Sequence, residues 1–308
     1  MVELSILVPN WNTRDNLRSC LKSIRETVGD ISHEVIVVDN CSCDGSAGMV
    51  RSEFPEARLI GNDSNRGFSK AVNQAIRASC ASWVLLLNSD ITLCPRAVPT
   101  LLELMKKDKT IGLLAGQLLN PDGSVQYFCR RFPTMLTAFF ENTFLQRLFP
   151  HNKILANFLM KEWKHDDFRE VDQPPGCFWF LRRSVIDTVG LLDEKMFLFY
   201  SDVDFCLRMR KQGLRICFSP AAKAIHGLGV TIKKLVSSNP RAEFLWHKDR
   251  FYYFRKHFGI FLLLLYKTIL AIDFASRTVE SLIYVLIGSM PFRQWRKQTF
   301  RLCIIITR

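Results

Sequence analysis

The apolar run Leu85-Leu86-Leu87 stops abruptly at the polar triplet Asn88-Ser89-Asp90. The run predicts a buried strand, and in an open α/β sheet ligands bind just beyond the carboxyl ends of the strands. A carboxylate at that point can hold a hard divalent cation, and the cation can hold a diphosphate. The same triplet also fits plain turn or helix-cap chemistry. Three more polar sites end strands or open helices in the same manner. They are Pro9-Asn10-Trp11-Asn12, Asp39-Asn40, and Asn65-Arg66-Gly67-Phe68 leading into Asn73. Neither glycine signature for cradling phosphates occurs, so a nucleotide would be read by side chains. Asp39 could accept from a ribose hydroxyl or a base imide, and Trp11 could lie near the base. Arg66 and a cation at Asp90 could neutralise a diphosphate. Taken singly, Asp39 and Asn40 also suit an Asx turn, Trp11 a core position and Arg66 a surface charge. The four sites together point to a nucleotide.

The elements that must position these residues follow from periodicity. Leu4-Val8 is read as a first strand. Leu17, Cys20, Leu21, Ile24 and Val28 form a helical stripe, capped by Asn12 or Thr13 and ended by Gly29. Val35-Val38, Ala57-Ile60 and Trp83-Leu87 are read as strands, with helices over Ser46-Phe54 and from Phe68. Alternating strands and helices imply an α/β fold with a mainly parallel sheet flanked by helices. Beyond Asp90, a helix over Arg96-Lys106 precedes two strands around the turn Asn120-Pro121-Asp122-Gly123. Thr134-Trp163 is aromatic, basic and irregular, the pattern of a substrate-facing insert or lid. Gly176-Leu181 returns as a buried strand, Ser201-Gln212 is a helix stopped by Gly213, and Arg215-Phe218 is a strand. No Gly/Ser/Pro linker is visible. The expected organisation is one domain over 1–240, with a donor half over about 1–115 and an acceptor half over about 116–240. A helical appendage over 241–308 follows.

The 308 residues are 48% hydrophobic and 23% charged, a globular composition. Ten scattered Cys without a C-x-x-C pair argue against a structural zinc site and for reduced thiols in a cytosol. Met1–Val8 has no basic n-region and reads as a first strand, so no targeting sequence is expected there. The net charge of +13 is uneven: residues 223–308 hold 15 Lys and Arg against 4 Asp and Glu, the preceding residues 27 against 25. A neutral body with a basic tail suggests an anionic partner surface. The tail also carries Ile260-Tyr266, Ile269-Ile272 and Leu282-Ile287, which suit lipid better than a phosphate backbone. Lys267, Asp273, Arg277 and Glu280 interrupt these segments, so no clean apolar run long enough to span a bilayer is expected. A pair of helices lying on or shallowly in a membrane, anchored by Arg293, Trp295, Arg296 and Lys297, fits this pattern. A pair of amphipathic helices closing a soluble core is the alternative.

The ordered set Val8-Pro9-Asn10-Trp11-Asn12, Val37-Val38-Asp39-Asn40-Cys41-Ser42-Cys43-Asp44-Gly45-Ser46, Asn65-Arg66-Gly67-Phe68 and Leu87-Asn88-Ser89-Asp90 resembles the family 2 glycosyltransferases with a GT-A fold. The rhamnosyltransferase-like branch, acting on bacterial cell-surface polysaccharides, is the most similar. The resemblance continues through Gly190-Leu191-Leu192-Asp193-Glu194 and Phe199-Tyr200-Ser201-Asp202-Val203-Asp204 to His226, covering roughly residues 4–260. It implies inverting transfer of a sugar, L-rhamnose or similar, from a dTDP- or UDP-linked donor to a saccharide or lipid-linked saccharide, with Mg2+ or Mn2+. The scattered cysteines and the basic, apolar tail fit such an acceptor at the cytoplasmic face, so a cytoplasmic enzyme peripheral on the inner face of the plasma membrane is expected. By position Asp202 is the general base, and Ser201 stands where relatives carry Glu. Ser201-x-x-Asp204 equally fits a capping box. His226 is implied as a second metal ligand beside Asp90, although a lone His after a strand also fits a hydrogen-bonded structural residue. Gly227 and Gly229 make the loop after it mobile enough to close over a donor.

Two other classes compete. Ser201 motivates a nucleotide-sugar-binding protein without catalysis. The basic tail motivates nucleic-acid binding, but it carries no recognition motif, so no nucleic-acid partner is expected.

Overall fold

A computed structural model describes residues 2–141, 143–227 and 243–286. Gly229 and the expected anchor Arg293, Trp295, Arg296 and Lys297 lie outside the described residues. The chain divides into two compact units, residues 1–132 with 162–240, and residues 133–161 with 241–308.

The first unit opens with β1 (Leu4–Asn10), α1 (Arg14–Thr27), β2 (His33–Asp39), α2 (Ser46–Glu53), β3 (Arg58–Gly61), α3 (Phe68–Ala78) and β4 (Trp83–Leu87). β1 is buried along its whole length, as are all five residues of β4. The predicted stripe on α1 is real: Leu17, Cys20, Leu21 and Ile24 are buried. Thr13 is the N-cap of α1, but its side chain makes no cap bond. Its hydroxyl donates instead to Asn10 Oδ1 at 2.7 Å.

The rest of this unit comprises β5 (Ile91–Leu93), α4 (Ala97–Lys107), β6 (Ile111–Leu119), β7 (Arg169–Glu170), β8 (Phe178–Arg182), α8 (Arg183–Val189), α9 (Ser201–Lys211) and β9 (Arg215–His226). The sheet order is β3-β2-β1-β4-β8-β6-β9-β5, with β7 pairing β9. The first four strands are parallel. β8 then enters antiparallel between β4 and β6. The chain thus builds outward from β1 to β3 and returns to place β4 on the other side, which creates a switch point at the carboxyl ends of β1 and β4.

Two sequence expectations change here. The second strand after the Asn120 turn reduces to one bridge, Leu119 to Val125. β9 pairs with β6 as far as Leu119 and β8 takes Leu113–Ala115 of its other edge, so only the last few residues of β6 are left for a hairpin partner. The strand from Arg215 runs on through Pro220 to His226. Its pairing with β6 jumps from Ser219 to Lys223, so Pro220 sits in a bulge where its missing N–H costs no ladder bond.

The second unit corrects the irregular reading of Thr134–Trp163. It holds α5 (Met135–Phe140), α6 (Phe144–Leu148) and α7 (Lys153–Phe158), capped by the side chains of Thr134, Thr143 and Asn152. It also holds α10 (Glu243–Leu286), interrupted at Gly259, whose φ of 85° breaks the helix. Between Gly259 and Phe274 the only charges are Lys267 and Asp273. By length and composition α10 is therefore apolar enough to cross a membrane, a test that a soluble core helix also passes.

Candidate active site

The parallel register brings the predicted strand ends together. Asn10 pairs with Asp39 across β1 and β2, and Leu7 with Leu86 across β1 and β4. The antiparallel strands supply the rest. Leu87 pairs with Phe178, and Asn88 N–H donates to Cys177 O at 3.0 Å. Ile91 pairs with His226, which sets the imidazole beside Asp90. Gly227 N–H then donates to Asp90 O at 2.9 Å.

These ends surround a cleft of about 320 Å³, inside the usual range for small-molecule sites. Pro9, Asn10, Trp11, Asn40, Asn65 and Gly67 line it on the parallel side. Asn88, Ser89, Asp90, Asp202 and His226 face it from elsewhere. Asn12, Asp39, Arg66 and Asn73 do not line it. Asp39 lies beneath, its Oδ1 accepting from Asn10 Nδ2 at 2.8 Å and from Ser42 Oγ at 2.6 Å. Asn12 braces the neighbouring turn, its Oδ1 accepting from Cys43 N–H at 2.8 Å. The Arg66 guanidinium meets Asp63 at 3.0 Å on the surface.

Asn73 works from behind the wall. Its Nδ2 donates to Leu192 O and to Glu194 Oε1, both at 2.9 Å, and its Oδ1 accepts from Leu192 N–H at 3.0 Å. Ser69 Oγ donates to Met196 O and Phe68 N–H to Phe197 O. These bonds fasten the segment Phe197–Phe199, which lines the cleft. Gly67 permits that approach: its φ is 85°, and a Cβ there would fall 2.5 Å from Phe197 O.

Two carboxylates face the cleft with unusual electrostatics. Asp90 is 7% exposed, and its Oδ1 has no hydrogen-bond partner. Burial pushes its pKa up to about 6. His226 Nε2 stands 3.6 Å from that oxygen, too far for a hydrogen bond. Burial lowers the His226 pKa, which favours the neutral imidazole. Asn88 Oδ1 is a second buried oxygen without a partner. An unpaired carboxylate oxygen opposite a neutral imidazole nitrogen suits a divalent cation. No group of three or more His, Cys, Asp or Glu side chains gathers among the described residues, so the protein would supply only part of a coordination shell.

Asp202 opens α9. Its Oδ2 accepts from Gly176 N–H at 3.2 Å and its Oδ1 from Val203 N–H at 2.9 Å. Burial raises its pKa despite these bonds. A Cβ on Gly176 would lie 3.0 Å from Asp202 Cβ, so only glycine fits comfortably. The capping-box alternative does not form. The N-cap of α9 is Tyr200, at φ 62° and without a side-chain cap bond. Asp204 instead forms a buried ion pair with Arg208 at 2.8 Å. Asp202 is thereby left as the acid of this helix start that lines the cleft.

Sequence reasoning missed Phe128, Pro175, Gly176, Cys177 and Phe197–Phe199 as cleft residues. Pro174-Pro175-Gly176 before a buried strand was the one available signal, since such a strand start must sit near another strand's end.

A sequence model described as Glycosyl transferase family 2 matches residues 5–190. An N-acetylglucosaminyl-diphospho-decaprenol L-rhamnosyltransferase of Mycobacterium tuberculosis is 28% identical over 203 residues, covering 62% of this chain and 66% of its own length. A low-salt glycan biosynthesis hexosyltransferase of Haloferax volcanii is 23% identical over 240 residues, with 77% and 71% covered. A mannosyltransferase of Pyrobaculum calidifontis, solved with GDP-Man and Mn2+, superposes with a TM-score of 0.52 at 17% identity, covering 99% of this chain and 86% of that one. The fold is the GT-A type.

Proposed function

This chain belongs to glycosyl transferase family 2, and from that premise we propose that it transfers a sugar, L-rhamnose or a similar hexose, from a nucleoside diphosphate to a hydroxyl of a lipid-linked saccharide during cell-surface polysaccharide synthesis. The observation that carries the reading is that Asp90 and Asp202 face one cleft from different elements, both buried and both with raised pKa. Pairs of carboxylates held in distinct surroundings mark division of labour between charge binding and proton transfer.

In this reading the donor base lies toward Pro9, Trp11 and Asn40. Its diphosphate lies toward Asn88, Ser89 and Asp90. Asp90 Oδ1 and His226 Nε2 would hold Mg2+ or Mn2+, which when bound neutralises charge on the diphosphate. Asp202 accepts the proton of the acceptor hydroxyl. The hydroxyl oxygen then bonds to the anomeric carbon as the bond from that carbon to the diphosphate oxygen breaks, and the electron pair leaves on that oxygen. A single in-line displacement inverts the anomeric centre. The two N–H bonds fix the Asp202 carboxylate in place, and its raised pKa makes it a better proton acceptor near neutral pH. Asp202 acts without a second acid, since Ser201 carries no titratable group in the working range.

The lipid-linked acceptor is supported by α10, where Phe261 is 85% and Leu264 53% exposed. Such a helix suits the cytoplasmic face of an anionic membrane. Replacing Phe261 and Leu265 by Glu should weaken sedimentation with anionic vesicles, and unchanged sedimentation would count against this placement. The donor test is a screen of dTDP-, UDP- and GDP-sugars with and without Mn2+. One nucleotide sugar should raise the melting temperature and be consumed with acceptor. Stabilisation without consumption would favour a binding protein instead.

A further inference from the structure

Outside the cleft, a chain of hydrogen bonds ends on His226, and every bond in it has a forced direction. It begins at Asp122, in the turn after β6. Asp122 Oδ1 accepts from Ser124 Oγ at 2.6 Å and from Ser124 N–H at 2.9 Å. A carboxylate only accepts, so the single hydroxyl proton of Ser124 is spent there. Ser124 Oγ must therefore accept, and it does so from Asn120 Nδ2 at 2.8 Å. That orients the Asn120 amide and leaves its Oδ1 to accept from Gln126 Nε2 at 2.7 Å. The second Nε2 proton of Gln126 goes to the backbone oxygen of His226 at 3.0 Å. With Nε2 committed to two acceptors, Gln126 Oε1 is the atom that meets His226 Nδ1, at 3.0 Å. An amide oxygen only accepts, so Nδ1 carries the proton.

We propose that Gln126 is a positioning residue that holds His226 as its Nδ1–H tautomer, so that the bare Nε2 lone pair faces Asp90 and the site is set to take a divalent cation before one arrives. The inference rests on the reading of Asp90 and His226 as ligands. It adds the reason that this imidazole offers a lone pair and not a proton. Nε2 stands 3.6 Å from the partnerless Asp90 Oδ1. The opposite tautomer would place a proton between them and let the pair close into an ordinary hydrogen bond, which the separation exceeds. Gln126 is 5% exposed, and its backbone N–H is tied to Leu118 O at 2.9 Å, so the amide has little freedom to turn over. The turn that displaced the expected second strand thus has a use. It presents a polar chain to the back of the imidazole.

The first measurement uses the unaltered, metal-free protein. Its histidines are labelled with 15N, and the His226 signals are those missing in His226→Ala. A protonated Nδ1 and a bare Nε2 are expected, and an Nε2–H ring overturns the inference. Gln126→Leu removes the acceptor opposite Nδ1, and the 15N signals of His226 in this variant should show a larger share of the Nε2–H ring. Mn2+ affinity is then read by electron paramagnetic resonance with UDP present. Gln126→Leu should weaken Mn2+ by about 10–100-fold, the usual cost of losing an outer partner of a ligating His. A drop in Mn2+ affinity together with that shift in tautomer is expected, and a purely structural role for the amide would not move the tautomer. If His226→Ala leaves Mn2+ affinity unchanged, the metal reading itself fails. If His226→Ala loses affinity while Gln126→Leu binds like wild type, this inference alone fails.

Discussion

Two layers of polar groups lie within a few residues of each other and are built on opposite plans. The lower layer, at the ends of β1 and β2, is saturated. Asn10, Asp39, Ser42, Thr13 and Ser89 bond one another in a closed set. The Thr13 proton goes to Asn10 Oδ1, so Ser89 Oγ donates to Thr13. The upper layer leaves Asp90 Oδ1 and Asn88 Oδ1 without partners. Native proteins satisfy almost all buried polar atoms, and these two bare oxygens belong to residues that line the cleft, where a ligand could complete them. The contrast separates groups that set the shape of the cleft from groups that wait for a ligand. Substitutions in the two layers should differ in kind, with function lost from one and stability lost from the other.

The largest effect is expected at Asp202. Asp202→Asn keeps the size of the side chain but removes the proton acceptor, so kcat should fall about 10²–10⁴-fold. Donor affinity, read by calorimetry with Mn2+, should remain within about threefold. Turnover near the wild-type rate would remove Asp202 from the base role.

Asp90 tests the same contrast from the stability side. Its folded pKa of about 6 lies above the unfolded carboxylate value. Between those two values the folded state binds more protons, so stability falls as pH rises through that window. A shift of this size corresponds to about 3 kcal/mol of cost at neutral pH in metal-free protein. Asp90→Asn should therefore raise the melting temperature at pH 7 without metal, and the gain should vanish below about pH 4. The same variant should lose Mn2+-dependent turnover. A melting temperature lowered at pH 7 would mean that Asp90 is structural, like the layer beneath it.

The saturated layer predicts the reverse. Thr13→Val removes a hydroxyl that donates to Asn10 and accepts from Ser89, leaving buried partners unpaired. The cost in chemical denaturation should be about 1–3 kcal/mol, with the donor KM of the folded fraction little changed. A large KM effect with no loss of stability would mean that the Thr13 hydroxyl serves the donor and not the shape of the cleft.

How much of this was legible in the sequence depended on how local each cause was. β1, β2 and β4 announce themselves because a strand buried on both faces is a continuous apolar run, as in Val35–Val38 and Trp83–Leu87. Their polar ends are equally local, and a parallel sheet forces such ends to one edge, so Asn10, Asn40, Asn88 and Asp90 converge. β8 was legible as a strand but not as the neighbour of β4, because antiparallel insertion depends on distant chain. Gly176 and Cys177 were missed for that reason. Gln126 was invisible because an amide in a connecting segment has no periodic signature, and its role exists only through Asn120 and His226. Motif adjacency also does not say which way a side chain turns. Asn73 sits in the motif, yet its amide faces Leu192 and Glu194, where it supports the wall carrying Phe197–Phe199.

Arg66 gives the smallest and most discriminating test of the comparison. Its guanidinium is 44% exposed and pairs with Asp63, itself 78% exposed. Exposed pairs of this kind contribute roughly 0–1 kcal/mol. Arg66→Ala should therefore barely move the denaturation midpoint. By that criterion Arg66 belongs to neither layer, and stability alone cannot show whether it serves the donor. Its backbone N–H, however, lies 3.4 Å from Asn40 Oδ1, and Asn40 lines the cleft. The long side chain is thus rooted at the cleft edge and needs only to exchange an exposed carboxylate for a diphosphate. If it does so, donor KM should rise several-fold in Arg66→Ala, with the effect shrinking as salt screens the charge. Arg66→Lys should recover part of that loss, because a lysine keeps the charge but not the two-pronged geometry. Equal KM values across the three proteins would fix Arg66 as a surface charge and leave diphosphate binding to the groups around Asp90.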